Sequence, residues 1–333
     1  MTIPNKQLMT EQDICTKFVV PALEAAGWNI MSQVREQYFF TDGRIIAKGK
    51  TVKRGDRKRA DFLLNYKPNI PLAIVEAKDN HHSVGAGMQQ GLGYALTLDI
   101  PFVFSTNGDG FLFHDRLTKT GPVEQHLALD EFPSPAALWN LYCQHQGITP
   151  QAEPIVTFDY YSDGSGRTPR YYQLIAINRT IEKIALGQKR ILLVMATGTG
   201  KTMTAFQIIW RMWKSGAAKR ILFLADRNIL VDQTKTNDFK PFGAKMTKIT
   251  KRTIDKSFEI YLSLYQAVSG NEDASNIYKQ FTPDFFDLVV IDECHRGRPQ
   301  RRQSTLCKSR PILRLVDRSL NTSKRVRSGP ATA

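Results

Sequence analysis

One segment constrains this chain more than any other. Residues 191–195, Ile-Leu-Leu-Val-Met, are apolar without a break, and Ala196-Thr197-Gly198-Thr199-Gly200-Lys201-Thr202 follows at once, opening a helical pattern over 201–215. Glycine at 198 and 200 lets the backbone turn so that consecutive N–H groups point inward, and these donors join the helix N-terminus to make a cradle for phosphate oxygens. Lys201 then places a charge between the β- and γ-phosphates, and Thr202 offers its hydroxyl to Mg²⁺. Met195 stands where such loops usually begin with Gly or Ala. The sequence therefore predicts that Thr197, Gly198, Thr199, Gly200, Lys201 and Thr202 hold ATP.

A second apolar run, Leu288 to Ile291, ends in Asp292-Glu293-Cys294-His295. A buried strand would deliver both carboxylates to its C-terminal end, where ligands bind in open α/β sheets. Asp292 would hold Mg²⁺ through water, Glu293 would polarise the attacking water, and His295 would report the nucleotide state. The intervening pattern reads helix 171–187, strand 191–195, helix 201–215, strand 221–225 and a helix from Asn228. Apolar strands alternating with helices predict a parallel, doubly wound sheet.

The N-terminal part reads as a separate α/β domain. A capping-box pattern at Thr10 and Asp13 opens a helix over 10–26. The basic run Lys53-Arg54-Gly55-Asp56-Arg57-Lys58-Arg59 leads into an apolar strand, a Pro/Asn turn at 68–71 and a second strand, Leu72 to Lys78, together a hairpin. That hairpin can set Asp61 beside Glu76, and Glu76 and Lys78 share a strand face by the period of two. Two carboxylates and a carbonyl oxygen make a hard-oxygen site for Mg²⁺, with Lys78 positioning a water nucleophile. Acid-x-Lys also occurs at 56–58 and 238–240, but only 76–78 closes a strongly apolar strand. Gln90 and Tyr94 fall at i, i+4 on the next predicted helix. Glu11 is open to two readings, a further acidic member of this group or a plain surface charge.

Charge and cysteine content narrow the class. The formal charge is +15, but residues 298–333 hold ten Lys/Arg against one Asp, so the rest of the chain carries about +6. That balance suits a polyanion partner without requiring one. Cys15, Cys143, Cys294 and Cys307 show no metal-ligand spacing and no disulfide framework. No apolar run approaches the ~20 residues that cross a bilayer, and the first residues lack a signal-peptide layout, so a soluble, cytoplasmic chain is expected. The domain reading is 1–147, a Pro-rich linker over 148–169, a nucleotide-binding lobe over 170–297, and a basic, irregular tail over 298–333.

Lys201-Thr202 and Asp292-Glu293-Cys294-His295 resemble motifs I and II of superfamily 2 helicases. Pro169-Arg170-Tyr171-Tyr172-Gln173 is similar to that group's adenine-reading element, with Gln173 as base reader. Residues 223–233, including Arg227, resemble a motif that contacts nucleic-acid backbone, and 262–266 a companion motif. Asp61, Glu76 and Lys78 followed by Gln90 and Tyr94 resemble the PD-(D/E)xK nucleases, with Ala60 in place of the Pro. The two together resemble the restriction subunit of type I restriction-modification enzymes. That resemblance implies an α/β chain with an N-terminal PD-(D/E)xK nuclease domain and a RecA-like P-loop lobe. It implies ATP and Mg²⁺ as cofactors, and Asp61, Glu76, Thr202 and Asp292 as metal-holding residues. The implied activity is ATP-dependent translocation and cleavage of unmodified duplex DNA, in partnership with methyltransferase and specificity subunits. A DNA-repair helicase–nuclease would carry the same motifs, and an inactive DNA-binding remnant would carry them without turnover. No second motor lobe is legible after His295, so the expectation is a chain truncated or out of frame there.

Overall fold

A computed structural model describes residues 5–41, 45–48, 51–54, 56–166, 168–225, 239–249, 254–264, 280–292 and 311–317. The chain divides into two units, the first Met1–Pro150 with Pro169–Ile175 and the second Gln151–Thr168 with Ala176–Ala333.

The first unit is a mixed sheet with helices. Its strands are β1 (Val34–Thr41), β2 (Ile45–Lys48), β3 (Thr51–Arg54), β4 (Arg57–Lys67), β5 (Ile70–Ala77), β6 (Phe102–Thr106), β7 (Phe111–Asp115) and β8 (Glu124–Leu127). Six of them form one sheet in the order β1-β4-β5-β6-β7-β8, while β2 and β3 pair only with each other. The β4–β5 hairpin is antiparallel and β5–β6 is parallel. A parallel neighbour requires a crossover. The chain makes it through α4 (Met88–Leu98), since α1 (Glu11–Ile14), α2 (Val20–Ala25) and α3 (Ile30–Gln33) precede the sheet and α5 (Pro135–Gln146) follows it. From Leu72 to Ala77, β5 is buried throughout, as its unbroken apolar run requires for a strand covered on both faces.

The helix expected over 10–26 is present but interrupted. Thr10 and Asp13 form the reciprocal cap, and Cys15–Val19 widens to a π-helical stretch before α2. Pro21 explains the interruption, because proline lacks the N–H that a regular turn would use and crowds the preceding turn.

Close approach governs how α4 sits on the sheet. A Cβ built on Gly91 would lie 2.7 Å from Val103 Cγ1 and 3.3 Å from Glu76 Cγ, and one on Gly87 would lie 3.1 Å from both Glu76 Cβ and Ser105 Oγ. Glycine at both positions lets the helix backbone come down directly over Glu76.

The second unit is built on a fully parallel sheet. Its strands are β9 (Arg190–Met195), β10 (Ile221–Ala225), β11 (Met246–Lys248), β12 (Ile260–Leu264), β13 (Leu288–Ile291) and β14 (Ile312–Asp317), ordered β11-β12-β10-β13-β14-β9. Every neighbouring pair runs parallel. Helix α6 (Glu153–Val156) opens the unit, α7 (Tyr171–Ala185) runs into it, and α8 (Lys201–Lys214) follows β9. The core joins Ile177 and Ile181 of α7, Phe206 and Ile209 of α8, and Ile221, Leu262, Val290 and Leu313 of the strands.

Two stretches depart from the sequence reading. Part of the tail expected to be irregular forms β14, registered between β13 and β9 with Ile312, Leu313 and Leu315 buried. Its six residues sit among many charges, which hid a short apolar alternation. The stretch expected as a linker over 148–169 also has fixed partners. The Gln207 amide accepts from the Tyr161 N–H and donates to the Tyr161 carbonyl, both at 3.0 Å. Arg211 donates to the Val156 carbonyl at 2.6 Å and to Asn178 Oδ1 at 2.8 Å, with its guanidinium 4.5 Å from the Tyr160 ring centre. Arg211 is fully buried, and its Nε has no partner. Burial lowers its pKa from the ordinary arginine value. A charge buried in a core is costly, and these contacts together with the charge of Asp159 offset that cost. The helix expected from Asn228, with Arg227, and residues 265–266, Glu293 and His295 lie outside the described residues. Among the described residues no helix is long and apolar enough to cross a membrane.

Gly91→Ala should lower stability by about 1–3 kcal/mol through overpacking against Val103. Gly93→Ala, on the same helix with nothing within 4 Å of its added Cβ, should be stabilising by up to about 1 kcal/mol. Urea denaturation of both variants checks the contrast, and Val103→Ala should recover part of the Gly91→Ala loss.

Candidate functional site

Asp61 and Glu76 face each other where the β4–β5 ladder ends. The final backbone partners are Phe62 and Val75. Beyond them each strand's carboxylate takes over the pairing. The Asp61 N–H donates to Glu76 Oε1 at 3.3 Å, and the Ala77 N–H donates to Asp61 Oδ2 at 2.9 Å. Glu76 is fully buried and Asp61 is nearly so. Gln90 of α4 donates through Nε2 to Glu76 Oε2 at 2.9 Å and lies 3.0 Å from Tyr94 Oη. The structure therefore joins Asp61, Glu76, Gln90 and Tyr94 in one hydrogen-bonded chain.

Lys78 is placed differently. Its ammonium is 3.3 Å from Glu11 Oε2. Glu11, left open between two readings, is thus the partner of Lys78 and shares with Asp61, Glu36 and Arg59 the lining of one open pocket. Sequence reading missed three further members of this region. Gln37 lines the same pocket with a left-handed backbone at φ +46°, and its Nε2 donates to Gln12 Oε1 at 3.1 Å. Cys15 is buried there, and burial with the nearby Asp61 and Glu11 charges pushes its thiol up to about 12. Ser105 accepts from the Gly87 N–H at 3.0 Å and donates to the Val84 carbonyl at 2.6 Å. Only the glycine-rich run before α4 carried any signal for such close packing.

Electrostatics follow from burial. Desolvation, with the Asp61 charge beside it, raises the Glu76 carboxyl to about 8. Desolvation also raises Asp61, opposed by the Ala77 hydrogen bond. The Lys78 ammonium, bonded to Glu11, opposes the rise in both carboxyls without cancelling it. Two adjacent carboxylates of this kind suit a hard divalent cation completed by water. Among the described residues no group of three or more His, Cys, Asp and Glu side chains is arranged for a metal.

The loop over 196–200 is built as its sequence demands. Gly198 and Gly200 have φ of +76° and +83°, conformations that side-chain-bearing residues avoid. The Thr199 hydroxyl donates to the Ala196 carbonyl at 2.6 Å, which closes the turn before α8. Lys201 is buried at the first position of that helix and Thr202 is half-buried beside it. Asp292 follows β13 and is nearly buried, its N–H donating to the Leu224 carbonyl at 2.8 Å. Lys201 and Asp292 thus sit at the C-terminal edge of one parallel sheet. Gln173 accepts through Oε1 from the Arg170 N–H at 2.9 Å, a local cap at the start of α7.

The second unit is a helicase-like RecA lobe, and the chain joins it to a mixed sheet with a buried carboxylate pair. Residues 167–317 match the family model "Type III restriction enzyme, res subunit". The chain is 59% identical over 294 residues to the endonuclease subunit of the type I restriction enzyme EcoAI from Escherichia coli, covering 88% of this chain and 36% of that protein. It is 27% identical over 350 residues to the EcoKI endonuclease subunit from Escherichia coli K12, covering 85% and 29%. A solved fragment described as an HsdR subunit of a type I restriction enzyme from Vibrio vulnificus YJ016 superposes with a TM-score of 0.77 at 39% identity, over 95% of this chain and 57% of that one. The chain belongs to the endonuclease subunits of type I restriction enzymes. It spans about a third of the length of the curated relatives it matches.

The raised Glu76 pKa gives a sign for pH dependence. A carboxyl near 4.5 unfolded and about 8 folded contributes stability that is present at low pH and lost as pH rises through about 8. In chelator-treated buffer, Glu76→Gln should therefore gain stability over the parent with rising pH, by up to a few kcal/mol at order of magnitude. Thermal melting at pH 5 and pH 8.5 measures the difference, and an equal effect at both would contradict the assignment.

Proposed function

We propose that the first unit is a PD-(D/E)xK nuclease domain that cleaves duplex DNA with Mg²⁺, and that the second binds ATP for translocation. The observation that supports the nuclease reading is the buried Asp61–Glu76 pair at a strand end, with Gln90 hydrogen-bonded to Glu76. When bound, Mg²⁺ supplies Lewis-acid chemistry, polarising the phosphate and lowering the pKa of a bound water. Asp61 and Glu76 would hold it. Gln90 keeps the Glu76 carboxylate oriented, and Tyr94 supports Gln90. Lys78 would carry positive charge toward the attacking water, and the Glu11 contact decides where its ammonium rests.

In the second unit, the N–H groups of 197–200 would cradle the phosphates, with Lys201 and Thr202 at the β- and γ-phosphates and Mg²⁺. Asp292 would take Mg²⁺ through water, Glu293 would act on the attacking water, His295 would sense the nucleotide, and Gln173 would read adenine. The whole protein would assemble with methyltransferase and specificity subunits, to which the reading of sequence would belong.

The test separates the two units. Supercoiled plasmid is incubated with the full chain and Mg²⁺, and nucleotide binding is followed by calorimetry. Asp61→Ala and Glu76→Ala should each lower nicking by 100-fold or more, on the order expected for loss of a metal-centred catalyst, and leave ATP binding unchanged. Lys201→Ala should remove ATP binding and leave metal-dependent nicking. Nicking by Glu76→Ala at the parent rate would overturn the nuclease assignment.

A further inference from the structure

We propose that Gln37 is a positioning residue for the carboxylate pair. Its left-handed backbone withdraws one residue of β1 from the face of Asp61, and the opening so made is the path by which a hydrated divalent cation reaches that carboxylate. This rests on the reading of Asp61 and Glu76 as a cation site.

The ladder between β1 and β4 carries the first observation. It pairs Val34↔Leu64, Arg35↔Leu63 and Glu36↔Phe62, and it resumes from Tyr38↔Ala60 to Thr41↔Arg57. The register is the same on both sides of the gap, so no residue is inserted. Gln37 and Asp61, which stand opposite each other, are the pair left out. Opposed residues of an antiparallel pair hold their Cβ atoms about 4.5–5.5 Å apart. An extended residue at 37 would therefore stand directly against Asp61.

The backbone supplies the second observation. Gln37 has φ of +46° inside a strand. Asn69, in the turn between β4 and β5, and Asp99, at the C-cap of α4, also have positive φ among the described residues. Asn and Asp adopt that backbone readily at turns and caps. A glutamine within a strand has no such local reason, and its support comes from another element. Its Nε2 donates to Gln12 Oε1 at 3.1 Å, on the first turn of α1. The reciprocal cap of Thr10 and Asp13 fixes that turn. The neighbouring Glu11 takes the Lys78 ammonium. One capped turn thus anchors both Gln37 and Lys78.

The space left by this withdrawal has a charge of its own. Glu11, Gln12, Glu36, Gln37, Arg59 and Asp61 line one open pocket. Three carboxylates against one guanidinium make its mouth negative, which draws a cation inward and repels a phosphate that arrives alone. The lining therefore favours the cation as the first to enter.

Calorimetric titration of the full chain with Mn²⁺, without nucleotide or DNA, reads the path apart from turnover. Gln37→Val carries a branched Cβ that left-handed backbone excludes, so residue 37 returns to the extended form against Asp61. Its Mn²⁺ affinity should fall about 10- to 100-fold, the range for changes just outside a metal's ligands. Gln37→Gly takes the left-handed backbone without strain and should rescue the affinity. Gln12→Ala cuts the tether and adds no bulk to β1. Its affinity should fall toward the lower end of the same range, so the test stands even where Gln37→Val does not fold. Parent affinity in folded Gln37→Val or in Gln12→Ala, or a loss in Gln37→Gly, would overturn the opening. So would inorganic phosphate that binds the metal-free parent and not Gln37→Val, because the opening would then serve the anion. Asp61→Asn should abolish Mn²⁺ binding. Undiminished binding there would overturn the cation reading and this path with it, whereas the outcomes at Gln37 and Gln12 bear on the path alone.

Discussion

The first unit depends on an exchange between two carboxylates. Where β4 and β5 part, the Asp61 N–H is taken by Glu76 and the Ala77 N–H by Asp61. Side-chain oxygens thus replace ladder bonds, and buried backbone donors that would otherwise be costly are satisfied. The exchange fixes both carboxylates to less than a rotamer's freedom, but it also sets two acids side by side in a dry place. Much of the neighbourhood follows from that tension. Gln90 reaches down to Glu76, and glycines at 87 and 91 let its helix come close enough to do so. The open side of Asp61 is rimmed by Glu11, Glu36 and Arg59.

In the second unit the dominant constraint is a parallel sheet whose strand β9 runs into a glycine loop. Burial on both faces orders β10, β12 and β13, while β9 at the edge leaves Leu192 and Val194 exposed, and helix α8 carries the consequence in two directions. Its first residue is Lys201, while Gln207 and Arg211 further along hold the strap at Val156 to Tyr161. A helix braced in this way would hold its N-terminus in place, as the phosphate-binding role proposed for that end requires.

Strong periodic signals were legible in the sequence. The strands at 191–195, 221–225 and 288–291, the β4–β5 hairpin and the Gly-rich loop all reappear, because each is an unbroken apolar run or a turn that only glycine makes. What was illegible depended on tertiary partners. The run Ile312–Asp317 becomes a strand because β13 and β9 leave a slot for it. The strap at 153–161 reads as loop because its partners, Gln207 and Arg211, lie some fifty residues away. The spacing Asp61, Glu76, Gln90 and Tyr94 did point to one neighbourhood. The Lys78–Glu11 pair, the left-handed Gln37 and the glycine contacts under α4 could not be read from spacing, since each is a meeting of elements distant in sequence.

The central claim is that the Asp61–Glu76 pair is a site for a divalent cation. Thermal melting of the full chain with and without Mn²⁺ or Mg²⁺ at neutral pH tests it directly, because a cation that binds only the folded state raises the melting temperature by mass action. The account predicts a concentration-dependent rise in the parent chain that is lost in Asp61→Asn and persists in Lys201→Ala. A rise of the same size in Asp61→Asn would contradict it.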